Sequence, residues 1–450
     1  MRTTVILAAL LPPCNPILLV AGTEVDPVVA PVIDESRCEP HGFADPDLST
    51  IPRCTEGQVA RLGDQSFDSI QQAVDASTDG DVIVICEGRH TESITITRRR
   101  IALVADSDAT ILDGAAQGRP LDLIDSTVTL QGLTFADGRA EQGGAIRSQG
   151  SHLLVQAATF ISNTAVQNGG AIASGHGTLF LENVQFEGNE ALRGNGGALD
   201  VFDTCVEVRG STFVENRSDY AGGAIGWTSR STNRSLTLWD STFAINTSGY
   251  EGGAISFGNV GEDSVSILAT WNSTFEGNRA GYNGGAIQAG GWGSTRAFVT
   301  ESTFRTNITG YEGGAIATGS HGMTTLEVVG GRFTDNVAEY AGGAIGHNSW
   351  TSDHVRISDA TFIANVATNQ GGSVNVDSYE AVTVALTGGQ FEASEGATEV
   401  PLISVSEGFL MGVGVDFPTP GVHLESTCGA LELGPNSSFG CEFGTWVEAP

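Results

Sequence analysis

The chain has 450 residues, 60 of them Gly, a formal net charge of −32, 40% hydrophobic and 16% charged residues. That hydrophobic share supports a packed core, the modest charged fraction excludes a disordered polyelectrolyte, and Gly without a strict third-residue period excludes collagen. All 21 basic residues are Arg, and so acidic a chain repels nucleic-acid phosphates and anionic membranes, so no nucleic-acid partner is expected.

Arg2 is followed by the apolar run Val5–Leu11, then Pro12, Pro13 and Cys14, and a second apolar run, Ile17–Ala21. This reads as a secretory signal peptide over residues 1–22, cleaved near Ala21–Thr23. Pro13 disfavours a lipid anchor on Cys14. Residues 23–63 read as a Pro-containing leader. No later segment has the 18 apolar residues of a membrane span, so no transmembrane segment is expected. Six cysteines then remain, an even number that suits disulfides in an exported chain. Cys38–Cys54 and Cys428–Cys441 are the natural local pairs, with Cys86 and Cys205 left as free core residues. No spacing among them resembles a zinc site.

Ile70, Ala73 and Val74 fall on one face of a helix within Asp68–Ala76, and a short helix there predicts a cap. Asp81–Gly88 predicts a first strand and turn, the alternation of Ile94 and Ile96 a second, and Ile111–Gly114 a third.

From residue 130 to 395 the chain repeats. Gly-Gly-Ala-Ile begins at 143, 169, 222, 252, 284, 313 and 342, with close variants at 196 and 371. Phe-x-x-Asn alternates with it, ending in Asn163, Asn189, Asn216, Asn246, Asn278, Asn307, Asn336 and Asn365. Alternating apolar pairs precede each Phe, among them Val128 and Leu130, Leu153 and Val155, Leu236 and Leu238, with Leu268 and Thr270 an imperfect copy. Such a unit cannot bury its apolar face alone, whereas stacked units can. The expected fold is all-β, a single-stranded right-handed parallel β-helix over 64–395 with a short N-terminal capping helix and closing coils over 396–450. Stacking puts Phe on Phe inside and an Asn ladder at one corner, where Asn tolerates left-handed backbone.

These two motifs, nine in register, resemble the polymorphic outer membrane protein repeat best known from chlamydial surface proteins. The opening segment resembles pectate-lyase-like β-helices. The resemblance implies an adhesive β-helical passenger at the cell surface, extracellular or on the outer membrane. Autotransporters of that family end in a membrane barrel, and the 59 residues after Phe391 lack its alternating strands.

From Gly-Gly to the next Phe the distance runs from 17 to 23 residues, so length variation falls in one arc, which in solenoids is often the binding face. Trp227, Phe257, Trp292, His321, His347, Trp350 and His354 lie in that arc and predict an aromatic loop face for a glycan or cell-surface protein. Tyr220, Tyr250, Tyr282, Tyr311 and Tyr340, each two residues before a Gly-Gly, predict a stacked ladder beside the turn or a sugar-binding ridge.

An enzyme is the alternative reading, a polysaccharide lyase or hydrolase; a structural envelope component is another. Gly175-His176-Gly177 matches one polygalacturonase motif without its companions. Asp106, Asp108 and Asp113 lie near Arg98–Arg100 without a recognisable calcium spacing. No catalytic residue and no cofactor is expected, and calcium on the acidic exterior stays open.

Overall fold

The computed structural model describes Phe43 and residues 53–416 with short gaps, and beyond these the backbone of the strands up to Glu448. Four parallel sheets wind in series. One coil runs through Thr127–Gln131 in a 16-stranded sheet (sheet A) and Thr134–Ala136 in a 12-stranded sheet (sheet B). It continues through Arg139–Ala140 in a 9-stranded sheet of two-residue strands (sheet D) and Ile146–Gln149 in a 15-stranded sheet (sheet C). The next coil restarts in sheet A at His152–Gln156. Each of these strands pairs in parallel with its counterpart one coil away, about 4.8 Å along the axis. This is the single-stranded right-handed parallel β-helix.

Register is set by side chains that meet their own kind. Phe135 lies beside Phe160, and the series continues coil by coil to Phe391, ring centroids 4.6–4.9 Å apart. All these rings are buried. A one-residue slip would turn every one of them outward, so the register is strongly specified.

The Asn corner satisfies its backbone completely. Asn278 Oδ1 accepts from both the backbone N–H and the side-chain amide of Asn246, each at 3.0 Å. Its own Nδ2 donates to the Phe243 carbonyl at 2.9 Å and to Asn307 Oδ1 at 3.0 Å. The left-handed backbone expected of Asn falls instead on the residue before it, for example Ser162, Glu215, Ile245 and Thr306, with φ of 52–57°. Asn is therefore selected for its amide, which needs both a donor and an acceptor, and not for its backbone.

The two glycines of each turn have different reasons. Gly252 takes φ of +62°, the left-handed region. A Cβ on Gly253 would meet the Gly285 carbonyl oxygen of the next coil at 2.0 Å.

The N-terminal end is closed. Helix α1 (Ile70–Ala76) buries Ile70, Ala73 and Val74 on the core. Its first backbone N–H groups donate to the Glu92 carboxylate, Ile70 at 2.9 Å and Gln71 at 3.0 Å. Ala60–Leu62, inside the segment read as leader, pairs antiparallel with Val82–Ile85 and covers the open edge of sheet A.

The cysteine expectations need correction. Cys54 bonds Cys86, not Cys38. Cys205 is disulfide-bonded as well, so neither core cysteine is free. Sequence proximity misled, because winding brings residues a coil apart closer than many residues near in sequence. Cys428–Cys441 falls outside the residues whose side chains are described.

Candidate binding face

Sheet C begins after the Gly-Gly turn, and its side chains alternate. The third and fifth residues after the first Gly point inward, and the fourth and sixth point outward. Trp227, Phe257 and His347 occupy the fifth position and are buried, at 1%, 1% and 0% exposure. They are not loop residues, contrary to the sequence expectation. Trp227 stacks on Phe257 inside the solenoid at 4.2 Å and donates Nε1 to the Thr204 carbonyl at 3.1 Å. His347 is held between Thr318 Oγ1 at 2.9 Å and Asp353 Oδ2 at 3.1 Å, all within the core. No ligand from solvent reaches these three.

Trp292, His321 and Trp350 lie outside, in the turn from sheet C to sheet A. With Tyr379 they form one ladder over four successive coils, centroids 4.3, 5.7 and 4.1 Å apart. Tyr379 was not expected, yet it stands eight residues after a Gly-Gly start, the same offset as Trp292, His321 and Trp350. His354 is exposed too, but it starts a sheet A strand and stands apart from the ladder.

Tyr220, Tyr250, Tyr282, Tyr311 and Tyr340 form the second ladder at the opposite margin of sheet C, centroids 4.8–5.3 Å apart. Stacking hides ring faces and leaves edges and hydroxyls outward. The exception is the ladder end. Position 194, the counterpart of Tyr220 in the preceding coil, is Gly, and Tyr220 is 54% exposed against 38% for Tyr250 and 37% for Tyr282.

Between the ladders lies the outer face of sheet C. Its outward residues include Ser256, Gly258, Gln288, Gly290, Gly346, Asn348, Asn375 and Asp377. From Ala221 onward, residues just before a Gly-Gly join this floor through single bridges, among them Asn283 to Glu312 and Glu312 to Ala341. Glu312 is 5% exposed. Burial pushes its carboxyl up to about 7, the Asp377 carboxylate adds to the rise, and a bond from the Asn348 amide opposes it. Burial likewise raises Glu251, and it raises half-buried Asp200 to about 7. Tyr311 is raised by burial, by Glu312 and by the neighbouring tyrosines. From Tyr250 to Tyr379 the described outward residues of this face include no Arg.

The remaining candidates disperse. His176 occupies a turn with φ of +60° and lies 4.0 Å from Asp203. Asp113 pairs with Arg89 at 2.6 Å, and Arg53 donates to the Asp106 carbonyl at 2.6 Å. Among the described residues no group of three or more His, Cys, Asp or Glu is arranged to hold a metal ion. Among them, too, no helix is long and apolar enough to cross a membrane.

Residues 272–290, one Phe-x-x-Asn and the Gly-Gly turn after it, match the Chlamydia polymorphic membrane protein (Chlamydia_PMP) repeat. The chain carries this repeat. Among solved structures the chain is similar to a PL6 alginate lyase in complex with a trisaccharide, at 12% identity and a TM-score of 0.39, covering 89% of this chain and 90% of that one. It is similar to the alginate lyase AlyF-OU02 in complex with G6, at 13% identity and a TM-score of 0.40, covering 93% and 94%. It is also similar to the A-module of the Azotobacter vinelandii mannuronan C-5 epimerase AlgE6, at 14% identity and a TM-score of 0.25, covering 82% and 92%. No curated protein matches the sequence. The repeat match agrees with the parallel β-helix of the structure.

Proposed function

We propose that this protein is an exported, cell-surface or secreted binding protein, adhesin-like, whose ligand face is the outer surface of sheet C. The observation that carries this reading is the pair of exposed aromatic ladders flanking one polar, glycine-rich floor. Aromatic edges, hydroxyls and planar amides suit glycans and protein surfaces alike. The test is a glycan-array and cell-adhesion screen of the full chain beside a variant carrying Tyr220→Ala, Trp292→Ala, Trp350→Ala and Tyr379→Ala. Loss of binding in a variant that keeps its circular dichroism supports the reading. Undiminished binding places the ligand elsewhere.

One observation favours a second reading, cleavage of a polysaccharide on the same face. A carboxyl raised to about 7 beside a second carboxylate is the arrangement acid–base hydrolysis uses. New reducing ends from a bound glycan, lost in Glu312→Gln, would support it.

A further inference from the structure

The binding face repeats with the coil, about 4.8 Å per step. An extended peptide advances about 3.3 Å per residue and falls out of step with the coils. A linear glycan advances close to one coil per sugar. From Tyr250 to Tyr379, beyond exposed Arg230 in the Tyr220 coil, the charge of the face is one-sided as well. Glu251 and Glu312 hold the same position two coils apart, Asn283 stands between them, and Asp377 lies further along. No Arg offsets them among the described outward residues from Tyr250 to Tyr379, and the chain has no Lys at all.

Resting on the proposed reading of this face as a glycan-binding surface, we propose that its ligand is a β-1,4-linked glycan bearing free amino groups, lying along the solenoid axis. Alternate sugars of such a chain face opposite ways, so amino groups on one side recur every second sugar. Acidic groups on the floor recur every second coil, at Glu251 and Glu312. Anionic polyuronates are disfavoured by the same charges. A sugar at one chain end stacks on the free ring face of Tyr379, which is 70% exposed at the end of its ladder, while the inner rings offer edges and hydroxyls. The titratable groups around Glu312 are Tyr311, with Tyr282 and Tyr340 stacked on it, and Asp377. An ammonium held over Glu312 favours its ionised form, so binding below the Glu312 midpoint of about 7 expels a proton.

The test is calorimetry on the full chain at about pH 5.5, where the glucosamine amines are already protonated and cannot take up the proton that Glu312 gives off, in two buffers of different ionisation enthalpy. The probes are hexaglucosamine, its fully N-acetylated counterpart and a hexa-arginine peptide. The expected result is binding of hexaglucosamine about tenfold tighter than the acetylated hexamer, weakening with salt. Proton release is expected in the wild type and absent in Glu312→Gln. Glu251→Gln, at a half-buried site, is expected to weaken binding several-fold and serves if Glu312→Gln folds poorly. Equal or tighter binding of the acetylated hexamer overturns the amino-group assignment and leaves the glycan-binding face intact. Tighter binding of hexa-arginine overturns it in favour of a basic protein partner. Failure of every glycan, here and on the array, overturns the glycan reading itself.

Discussion

Glu312 fits against the outer face of the solenoid because residue 346, one coil on, has no side chain. A Cβ at Gly346 would lie 3.1 Å from the Glu312 Cβ and 2.8 Å from the Gly313 backbone nitrogen. The second contact is with backbone, which cannot rotate away. Gly346→Ala is therefore expected to cost about 1–3 kcal/mol by overpacking. It should also shift Glu312 from its bond to Asn348. Denaturant midpoints measure the first effect, and carboxyl titration by NMR the second. An unchanged midpoint would show that the coils separate more easily than their spacing implies.

Glu312 makes stability depend on pH. Its folded value of about 7 lies above its ordinary value of 4.5, so between these limits the folded state holds more protons than the unfolded one. Stability is then expected to fall as pH rises from about 4.5 to about 7, by up to a few kcal/mol at about 1.4 kcal/mol per unit. Asp200 and Glu251, also raised, act in the same direction and Asp203, lowered by its hydrogen bonds, in the opposite one, so the comparison is with Glu312→Gln. That variant should lose less stability across the window. Equal slopes would mean the carboxyl is not raised.

The Asn ladder should tolerate no substitution that lacks either half of the amide. Asn278→Ala strips the partners of the Asn246 N–H, the Asn246 amide and the Phe243 carbonyl, all buried. At about 1–3 kcal/mol for each unsatisfied group, the loss approaches the stability of a small domain. Asn278→Asp keeps the acceptor and loses the donor, and thermal melts should show it destabilised as well. An Asp variant as stable as wild type would refute the donor's role.

The two classes of arc aromatics should separate cleanly. Trp227→Ala empties a stacked interior site and is expected to cost about 3–5 kcal/mol. Trp350→Ala, half-exposed, should cost less than about 1 kcal/mol while weakening ligand binding. Paired stability and binding measurements distinguish them. The reverse ordering would contradict the inward placement of Trp227.

Inside and outside are partly legible in the repeat itself. The Ile of Gly-Gly-Ala-Ile points inward, and period two carries the next inward position to the fifth residue after the first Gly, where Trp227, Phe257 and His347 stand. Position counted from the Gly-Gly start separates them from Trp292, His321, Trp350 and Tyr379 at the eighth. The variable arc is therefore not one loop. It joins an inward-and-outward strand to the turn and the sheet A strand that follow, and all three vary in length, as in Ile255–Asn259 and Val265–Trp271 against Ile146–Gln149 and His152–Gln156.

The repeat alone determined the β-helix, its register and the buried Phe column, because identical residues at a fixed period can bury an apolar face only by stacking. The Tyr row was visible for the same reason. Tertiary structure decided the pairing of Cys54 with Cys86, the burial of Glu312 beside Asn348 and Asp377, and the joining of two ladders into the margins of one face. These relations link different positions of different coils. They depend on how far each coil is wound and how long each turn is, which no single repeat encodes.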